Sequence, residues 1–314
     1  MNILLIDPFP ESMRAKLEAL GHPLRYEPDW KKAEILANLQ EVDILVMNSK
    51  VNADQELLNH GPRLKMICRA GVGMDHFDLP LLEQNGILAF NTPGANAIPV
   101  AEQAVGMLLC LMHNIARADR EVHQWKWERE RNRGTELYAK TVGIIGFGNT
   151  GTAVSRCLSG FGCKVLAYDK YKSGFGGNGI EEAGLEQIFE SADVLSLHIP
   201  LTAETENWVD ASFFAKFSKP IWFLNLSRGP IVPLAGLIQS LDSGKVIAAG
   251  LDVLENEKLS TLSDLQREHL NRLFQMEKVI FTPHIGGWSH ESLDRINDRL
   301  VEGVSEFLLK HSAL

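Results

Sequence analysis

One segment sets the expected architecture of the chain: Thr141-Val-Gly-Ile-Ile-Gly146-Phe147-Gly148-Asn149-Thr150-Gly151. An apolar run typical of a buried parallel strand leads into a Gly-x-Gly-x-x-Gly turn, and a helical pattern follows at Thr152–Phe161. The first glycine permits a tight turn, the second lets a pyrophosphate approach the backbone, and the third lets the helix pack on the strand. The segment therefore predicts a dinucleotide-binding unit.

An acidic residue follows the next predicted strand, Lys164–Tyr168, at the expected distance along the chain. Asp169 is placed to accept hydrogen bonds from the adenosine ribose and to repel a 2′-phosphate, which favours NAD over NADP. Lys170 and Lys172 come directly after it and would soften that preference. Two alternatives remain: an α/β protein that binds no nucleotide, and a methyltransferase that binds another adenosine ligand.

Short apolar runs alternate with amphipathic stretches on both sides of this segment, which predicts βαβ units and parallel sheets. The expected fold class is α/β, with two doubly wound parallel-sheet domains of the Rossmann and flavodoxin-like kind. The second sheet is expected to have about six strands. The predicted strands are Asn2–Ile6, Ile44–Met47, Met66–Arg69 and Ile87–Phe90, then Thr141–Gly146, Lys164–Tyr168, Asp193–Leu197, Ile221–Leu224, Val246–Ala249 and Val279–Phe281.

The order of the elements also predicts the domain organisation. Val100–Arg117 has the pattern of one long, mostly apolar helix, and Ser289–Leu309 that of an amphipathic helix that returns to the first domain. We therefore expect a discontinuous substrate-binding domain at 1–94 plus 288–314, and an NAD-binding Rossmann domain at 95–287. Leu262–Met276 is expected to be a helical insertion.

Composition excludes several classes of protein. The 314 residues suffice for about two domains, and 31 Lys+Arg against 40 Asp+Glu give a net charge of −9 without a basic stripe. Nucleic acid and anionic membranes are therefore not expected as partners. The run Ala104–Met112 is too short to cross a membrane, and the start lacks a signal-peptide pattern, so we expect a cytoplasmic protein. The four cysteines form no metal-binding pattern, and no metal is expected.

Three segments that follow predicted strands carry the chemistry needed for hydride transfer. They contain Arg228, which forms a fork for a carboxylate and a reacting oxygen, and His284, a base that works near neutral pH. Glu257 would orient the imidazole and favour its uptake of the substrate proton. Taken singly, these residues are equally well explained as a salt-bridge arginine, a structural histidine and a solvated acidic run.

The chain resembles the D-isomer-specific 2-hydroxyacid dehydrogenase family over nearly all of its length. The resemblance implies that Arg228 binds the carboxylate and carbonyl of the substrate, that His284 is the acid/base and that Glu257 is its partner. The motifs that carry it are Arg69-Ala-Gly-Val-Gly-Met-Asp75, Asn91-Thr-Pro-Gly94, Ala101-Glu102, Trp127-Glu-Arg, Gly134-Thr-Glu-Leu137, Gly146–Gly151, His198-Ile-Pro-Leu-Thr202, Asn225-Leu-Ser-Arg228-Gly229, Asp252–Glu257 and Pro283-His284-Ile-Gly-Gly287.

The same resemblance implies two binding sets. The substrate, a small anionic 2-hydroxy or 2-oxo acid, is expected at Asn48, Arg69, Ala70, Gly71, Val72 and Gly73, although Gly71 and Gly73 alone would indicate only a tight turn. Asp252 is expected at the nicotinamide carboxamide. The full set expected for NAD is Gly146, Phe147, Gly148, Asn149, Thr150, Gly151, Asp169, His198, Pro200, Thr205, Asp252 and Gly286.

Departures from the family pattern concern the substrate. Members that oxidise phosphoglycerate usually carry Arg-Ser where this chain has Asn48-Ser49, which removes a phosphate anchor unless Lys50 or Arg69 replaces it. A proline is usual where Lys258 stands. We expect an NAD-dependent D-2-hydroxyacid dehydrogenase similar to those acting on phosphoglycerate. Hydroxypyruvate or glyoxylate reduction is the alternative within the enzyme class, and an NAD(H)-responsive, corepressor-like binding protein is the alternative outside it.

The long helix and the segment Trp125–Lys140 carry more apolar surface than one cofactor domain needs. Family members are usually dimers through this region, so we expect a homodimer. Trp125 and Trp127 fit a structural core equally well.

Overall fold

The computed structural model describes residues 1–311 in two compact units. Unit 1 consists of Met1–Asn96 together with the segment that begins at Ser289, and unit 2 is Ala97–Trp288. Residues 312–314, which the expected substrate-binding domain includes, lie outside the described residues.

Parallel strands form one sheet in each unit, with helices between them. The strands are β1 (Ile3–Leu5), β2 (Leu24–Tyr26), β3 (Ile44–Met47), β4 (Met66–Arg69), β5 (Leu88–Phe90), β6 (Thr141–Ile145), β7 (Lys164–Tyr168), β8 (Ile180–Glu182), β9 (Val194–Leu197), β10 (Ile221–Asn225), β11 (Val246–Leu251) and β12 (Val279–Phe281). The helices are α1 (Glu11–Glu18), α2 (Lys32–Ala37), α3 (Gln55–His60), α4 (Leu79–Gln84), α5 (Ala97–Met112), α6 (Ile115–His123), α7 (Asn149–Leu158), α8 (Leu185–Ser191), α9 (Ala211–Ala215), α10 (Leu234–Asp242), α11 (Asp264–Phe274) and α12 (His290–His311).

Unit 1 has a five-stranded sheet in the order β2-β1-β3-β4-β5, which is the flavodoxin-like doubly wound order. Alternate strand residues enter different layers: Leu4 packs with α2 and α3, whereas Ile3 packs with α12. The last helix of the chain therefore completes the core of the first unit. This arrangement and the second sheet confirm the predicted fold class.

Unit 2 has a seven-stranded sheet in the order β12-β11-β10-β9-β6-β7-β8. From β8 inward this is the Rossmann order, with β12 added beyond the sixth strand. The expectation of about six strands is wrong because β8 is an edge strand whose residues are exposed or half-buried. Such a strand lacks the buried apolar run from which strands are predicted.

The single helix expected over Val100–Arg117 is also wrong. The chain breaks after α5 and resumes in α6 at an angle of 62°, with Asn114 between them at φ 56°. Asparagine tolerates this left-handed conformation better than most residues. Within residues 1–311, no single helix is long and apolar enough to cross a membrane; only the bent pair α5–α6, taken together, has the required length and composition.

Candidate NAD-binding and catalytic site

The glycine turn after β6 is closed by its own packing. Gly146 has φ 92°, and a Cβ there would lie 2.3 Å from the carbonyl oxygen of His198. A Cβ on Gly151 would lie 2.1 Å from the carbonyl oxygen of Gly146. Gly148, directly before α7, has no atom within 4 Å of a Cβ position. Packing therefore requires Gly146 and Gly151, whereas Gly148 faces open space in front of a helix N-terminus, where a phosphate is favoured.

Asp169 is fixed beside this turn. Its Oδ2 accepts a hydrogen bond from the backbone N–H of Phe147 at 2.9 Å, and its Oδ1 accepts from those of Tyr171 and Lys172. The ammonium of Lys170 instead contacts Glu204 Oε2 at 2.5 Å. The expected ribose-binding carboxylate therefore stands at the end of β7, in contact with the glycine turn.

The loop after β9 contains the other residues expected near the cofactor. Ser196 Oγ lies 2.8 Å from His198 Nε2, and burial lowers the pKa of His198 to about 4, so the imidazole is neutral at pH 7. Within residues 1–311, its buried Nδ1 has no hydrogen-bond partner. Thr205 Oγ1 donates to the carbonyl oxygen of Pro200 at 2.7 Å and accepts from the N–H of Thr202 at 2.8 Å, which shapes the loop.

Asp252, after β11, is a hub of hydrogen bonds with only 2% of its surface exposed. Oδ1 accepts from Gln103 Nε2 at 2.8 Å, from Thr282 Oγ1 at 2.6 Å and from the N–H of Ile285 at 2.9 Å. Oδ2 accepts from the N–H of Gly286 at 2.8 Å. The carboxylate thus holds the loop on which His284 stands, a role that the sequence interpretation did not include.

His284 occupies the left-handed region at φ 55°. Its N–H donates to the carbonyl oxygen of Asp252 at 2.8 Å, and its Nδ1 lies 2.8 Å from Glu257 Oε2. Burial acts to raise the pKa of Glu257, but the hydrogen bond and charge of His284, a backbone hydrogen bond from Leu254 and the charge of Arg228 hold it below its ordinary value. Glu257 is therefore an ionised partner for the imidazole at neutral pH.

Arg228 stands on a turn built by a buried asparagine. Asn225 Oδ1 accepts from Ser227 N at 3.0 Å and from Ser227 Oγ at 2.7 Å, and Asn225 Nδ2 donates to the carbonyl oxygen of Arg228 at 3.1 Å. A Cβ on Gly229 would lie 1.7 Å from the carbonyl oxygen of Leu254. The turn after β10 therefore crosses the loop after β11 at backbone contact, and the three expected catalytic residues come together in unit 2.

Unit 1 carries the loop expected to bind the substrate. The carbonyl oxygen of Gly71 accepts from the N–H and the Oγ1 of Thr92, both at 3.1 Å, and that of Val72 accepts from Asn91 Nδ2 at 2.6 Å. Among the hydrogen bonds of residues 1–311, none uses the N–H of Val72 or Gly73 as donor. The loop thus binds its carbonyl groups internally and leaves two adjacent N–H groups for an anion.

Two further residues define the polarity of this loop. The N–H of Ala70 donates to the carbonyl oxygen of Met47 at 2.8 Å, which continues the β3–β4 pairing. A Cβ on Gly71 would lie 2.7 Å from Arg69 Nη1, so the Arg69 side chain lies across the loop. The guanidinium is therefore the cation beside the two N–H groups.

The segment after β3 offers a phosphate little attraction. The N–H of Asn48 donates to Asp7 Oδ2 at 2.6 Å, which places a carboxylate at this position. The ammonium of Lys50 donates to the carbonyl oxygens of Ile6, at 2.6 Å, and of Pro28. Lys50 is thus bound to its own backbone, against the expectation that it replaces the missing arginine.

Comparison with known proteins decides the family. Residues 105–286 match the model of the NAD-binding domain of D-isomer-specific 2-hydroxyacid dehydrogenases. The chain belongs to this family. This dehydrogenase is 37% identical to a hydroxypyruvate reductase of Thermotoga maritima over 274 residues, 87% of either chain. It is 35% identical to a D-3-phosphoglycerate dehydrogenase of Mycobacterium bovis over 279 residues, 88% of this chain but 51% of that relative.

The fold of the dehydrogenase agrees with solved structures. The crystal structure of D-lactate dehydrogenase from Aquifex aeolicus, complexed with NAD and lactic acid, superposes with a TM-score of 0.88 at 28% identity. The match covers 98% of this chain and 96% of that one. The chain is therefore an NAD-dependent oxidoreductase of the 2-hydroxyacid dehydrogenase class, and nothing in these comparisons favours a corepressor-like protein.

The residues of the dehydrogenase fit NAD. Gly148 leaves the front of α7 open, Asp169 is fixed for a ribose, and the buried Nδ1 of His198 has no partner within residues 1–311. No group of three or more His, Cys, Asp or Glu side chains in this range is placed to hold a metal ion.

The sequence interpretation missed three residues that support the site: Asn225, Gln103 and Thr282. Asn225 lies in a motif that was recognised, and a buried asparagine at a strand end was a signal for a shaped turn. Gln103 contacts Asp252 across 149 positions of the chain, and no local pattern indicates such a bond.

Proposed function

We propose that the enzyme interconverts a small unphosphorylated 2-oxo acid and the corresponding D-2-hydroxy acid, with hydroxypyruvate as its substrate. The observation that carries this choice is the segment after β3, where Asp7 binds the N–H of Asn48 and Lys50 binds backbone carbonyl groups. A phosphate would meet a carboxylate and no free ammonium there. The Thermotoga maritima relative, named hydroxypyruvate reductase and matched over 87% of its length, supports the same choice.

In this proposal unit 2 is the NAD-binding domain, expected at 95–287, and unit 1 is the substrate-binding domain, expected at 1–94 plus 288–314. The N–H groups of Val72 and Gly73, with the Arg69 guanidinium beside them, receive the substrate carboxylate. Asn48 lies near the far end of the substrate. In unit 2, the remaining residues expected to hold NAD are Phe147, Asn149, Thr150, Pro200, Thr205 and Gly286.

Bound NADH supplies the hydride. Arg228 holds the carboxylate and carbonyl of the 2-oxo acid in a bidentate fork and polarises the carbonyl. His284 gives a proton to the carbonyl oxygen during reduction and takes it back from the hydroxyl during oxidation. Glu257, 2.8 Å from His284 Nδ1, fixes the ring and stabilises its protonated form. Asp252 keeps the loop of His284 in place.

A matched pair of substrates tests the proposal. Hydroxypyruvate and 3-phosphohydroxypyruvate differ only in the phosphate, and NADH oxidation with each gives kcat/KM in the same direction. We expect hydroxypyruvate to be favoured by at least about tenfold, because a phosphate without a charge-assisted partner loses that much binding. Glyoxylate, pyruvate and 2-oxoglutarate complete the panel, and 3-phosphoglycerate with NAD is run in the oxidative direction.

A variant sharpens the same test. Asn48→Arg supplies the missing cation and is expected to raise kcat/KM for 3-phosphohydroxypyruvate while leaving that for glyoxylate nearly unchanged. A wild-type enzyme that prefers the phosphorylated acid would refute the proposed substrate and restore phosphoglycerate as the first candidate.

The proposal includes a homodimer in the cytoplasm. Trp125 and Trp127 have 98% and 78% of their surface exposed in the single chain, which is typical of an interface. Cys68, Cys110, Cys157 and Cys163 are free thiols, as expected in a reducing compartment. Light scattering at micromolar concentration should give twice the chain mass of 34.9 kDa, and a monomer would refute the dimer. Cell fractionation tests the location.

A further inference from the structure

Three side chains form a cluster at the end of β7, outside the catalytic residues described above. Lys170 Nζ lies 2.5 Å from Glu204 Oε2, and the hydroxyl of Tyr171 donates to the same oxygen at 2.9 Å. The Lys170 ammonium is also 5.4 Å from the centre of the Tyr171 ring. Glu204, on the loop after β9, is thus the common partner of two residues that follow β7.

The position of the cluster gives it significance. Lys170 directly follows Asp169, the residue that faces the adenosine ribose in this fold. A cation at this place is what accommodates the 2′-phosphate of NADP in related Rossmann domains. The hydrogen bond and charge of Glu204 raise the pKa of Lys170, and the hydrogen bonds from Lys170 and Tyr171 lower the pKa of Glu204. Both groups are therefore charged at neutral pH.

We propose that Glu204 is a residue that determines cofactor selectivity: by pairing with Lys170 it withholds the cation that would otherwise bind the 2′-phosphate of NADPH. Glu204 also adds a second negative charge near Asp169. The lysines after Asp169 thus do not relax the preference for NAD, because Lys170 is engaged and Lys172 Nζ lies 3.4 Å from the carbonyl oxygen of Phe147. Release of Lys170 would turn the site toward NADPH.

The size of the effect follows from exposure. The Lys170 and Glu204 side chains are 55% and 58% exposed, and ion pairs in such surroundings are screened by water. We therefore expect a change of about fivefold in affinity for NADPH when Glu204 loses its charge. Asp169 still faces the ribose, so NADH binding changes by less than about twofold.

The experiment measures dissociation constants for NADH and NADPH by nucleotide fluorescence, without substrate. It compares the wild-type enzyme, Glu204→Gln, the double variant Lys170→Met with Glu204→Gln, and Glu206→Gln. The last is a matched control, because Glu206 lies on the same loop, is exposed and carries the same charge. No substrate is present, so the outcome is independent of the choice of hydroxypyruvate.

The expected result has three parts. Glu204→Gln binds NADPH about fivefold more tightly than wild type with nearly unchanged NADH affinity, the double variant returns toward wild type, and Glu206→Gln resembles wild type. The proposal is overturned if Glu204→Gln leaves the NADPH constant unchanged. It is equally overturned if Glu206→Gln has the same effect, which would indicate general charge, or if the double variant keeps the gain, which would exclude Lys170.

Discussion

At the scale of single residues, the strained backbone of His284 is the feature that most clearly distinguishes this site. A non-glycine residue at φ 55° is uncommon, and such conformations persist where neighbouring bonds enforce them. The carbonyl oxygens of Asp252 and Thr282 both accept from the His284 N–H. The strain is therefore maintained by the loop that presents the imidazole to Glu257.

The charge of Glu257 gives the first prediction at this scale. Glu257→Gln keeps a hydrogen-bond acceptor for His284 but removes the charge, so turnover should fall by about tenfold to a hundredfold. The matched control, Glu255→Gln, lies in the same loop and keeps an acceptor for the N–H of Leu234, so it should retain activity. Equal rates for the two variants would show that the charge of Glu257 has no part in the reaction.

The lowered pKa of Glu257 also fixes a pH window. A carboxyl group whose pKa lies below the ordinary 4.5 is ionised through pH 5–8 and takes up a proton only as the pH falls through its lowered pKa. Protonation of Glu257 therefore contributes no loss of kcat above about pH 5. A pH–rate profile measured with stable enzyme should show none that disappears in Glu257→Gln.

His198 gives a prediction for stability. Its pKa is about 4 in the folded protein against an ordinary 6.5, so on acidification the unfolded chain takes up this proton first. The wild type should lose up to about 2 kcal/mol more unfolding free energy between pH 7 and pH 5 than His198→Asn, which cannot titrate there. Urea midpoints at the two pH values measure this. A constant difference between the two proteins would contradict the neutral, buried imidazole.

The residues of the site divide by how local their signals are. Gly146, Gly148 and Gly151 were predictable because a turn constrains consecutive positions, and Arg228 and His284 because each follows a buried strand. The bonds of Gln103 to Asp252 and Thr282 join positions 149 and 179 residues apart, and only the folded chain reveals them.

At the scale of elements, the crossing of two loops determines whether the catalytic residues meet. Gly229→Ala would place a Cβ 1.7 Å from the carbonyl oxygen of Leu254, so one backbone segment must move. We expect a lower melting temperature and loss of most activity, because Arg228 moves relative to Glu257. Gly160→Ala is the control, since no atom lies within 4 Å of its Cβ position. Similar behaviour of the two variants would contradict the close crossing.

The elements that sequence patterns missed share a physical reason. β2 and β8 are three-residue edge strands without a fully buried residue, so their apolar pattern is weak. The break between α5 and α6 lies in a sequence without proline or glycine, and Asn114 alone marks it. The buried strands of both sheets, in contrast, were predictable because two covered faces require continuous apolar runs.

At the scale of the whole molecule, the net charge of −9 opposes the binding of an anionic substrate and an anionic cofactor. Local groups must overcome this field: Arg228 in unit 2, and Arg69 with two backbone N–H groups in unit 1. The division of labour between the units follows from where these groups lie.

Hydrogen exchange tests that division. Addition of NADH should slow exchange at the Gly146–Gly151 turn, around Asp169 and in the loop after β9, because bound cofactor covers these amides. The amides of β1–β5 should exchange as before. Protection that appears first in unit 1 would contradict the assignment of the cofactor to unit 2.

The central claim is that His284 exchanges the proton of a 2-hydroxy acid while NADH binds elsewhere in unit 2. Its most direct test is the turnover of His284→Gln with NADH and the best 2-oxo acid of the panel, with His60→Gln in α3 as control. We predict a loss of kcat of about a thousandfold for His284→Gln, an NADH dissociation constant within about twofold of wild type, and a fully active control. Wild-type turnover in His284→Gln would contradict the claim.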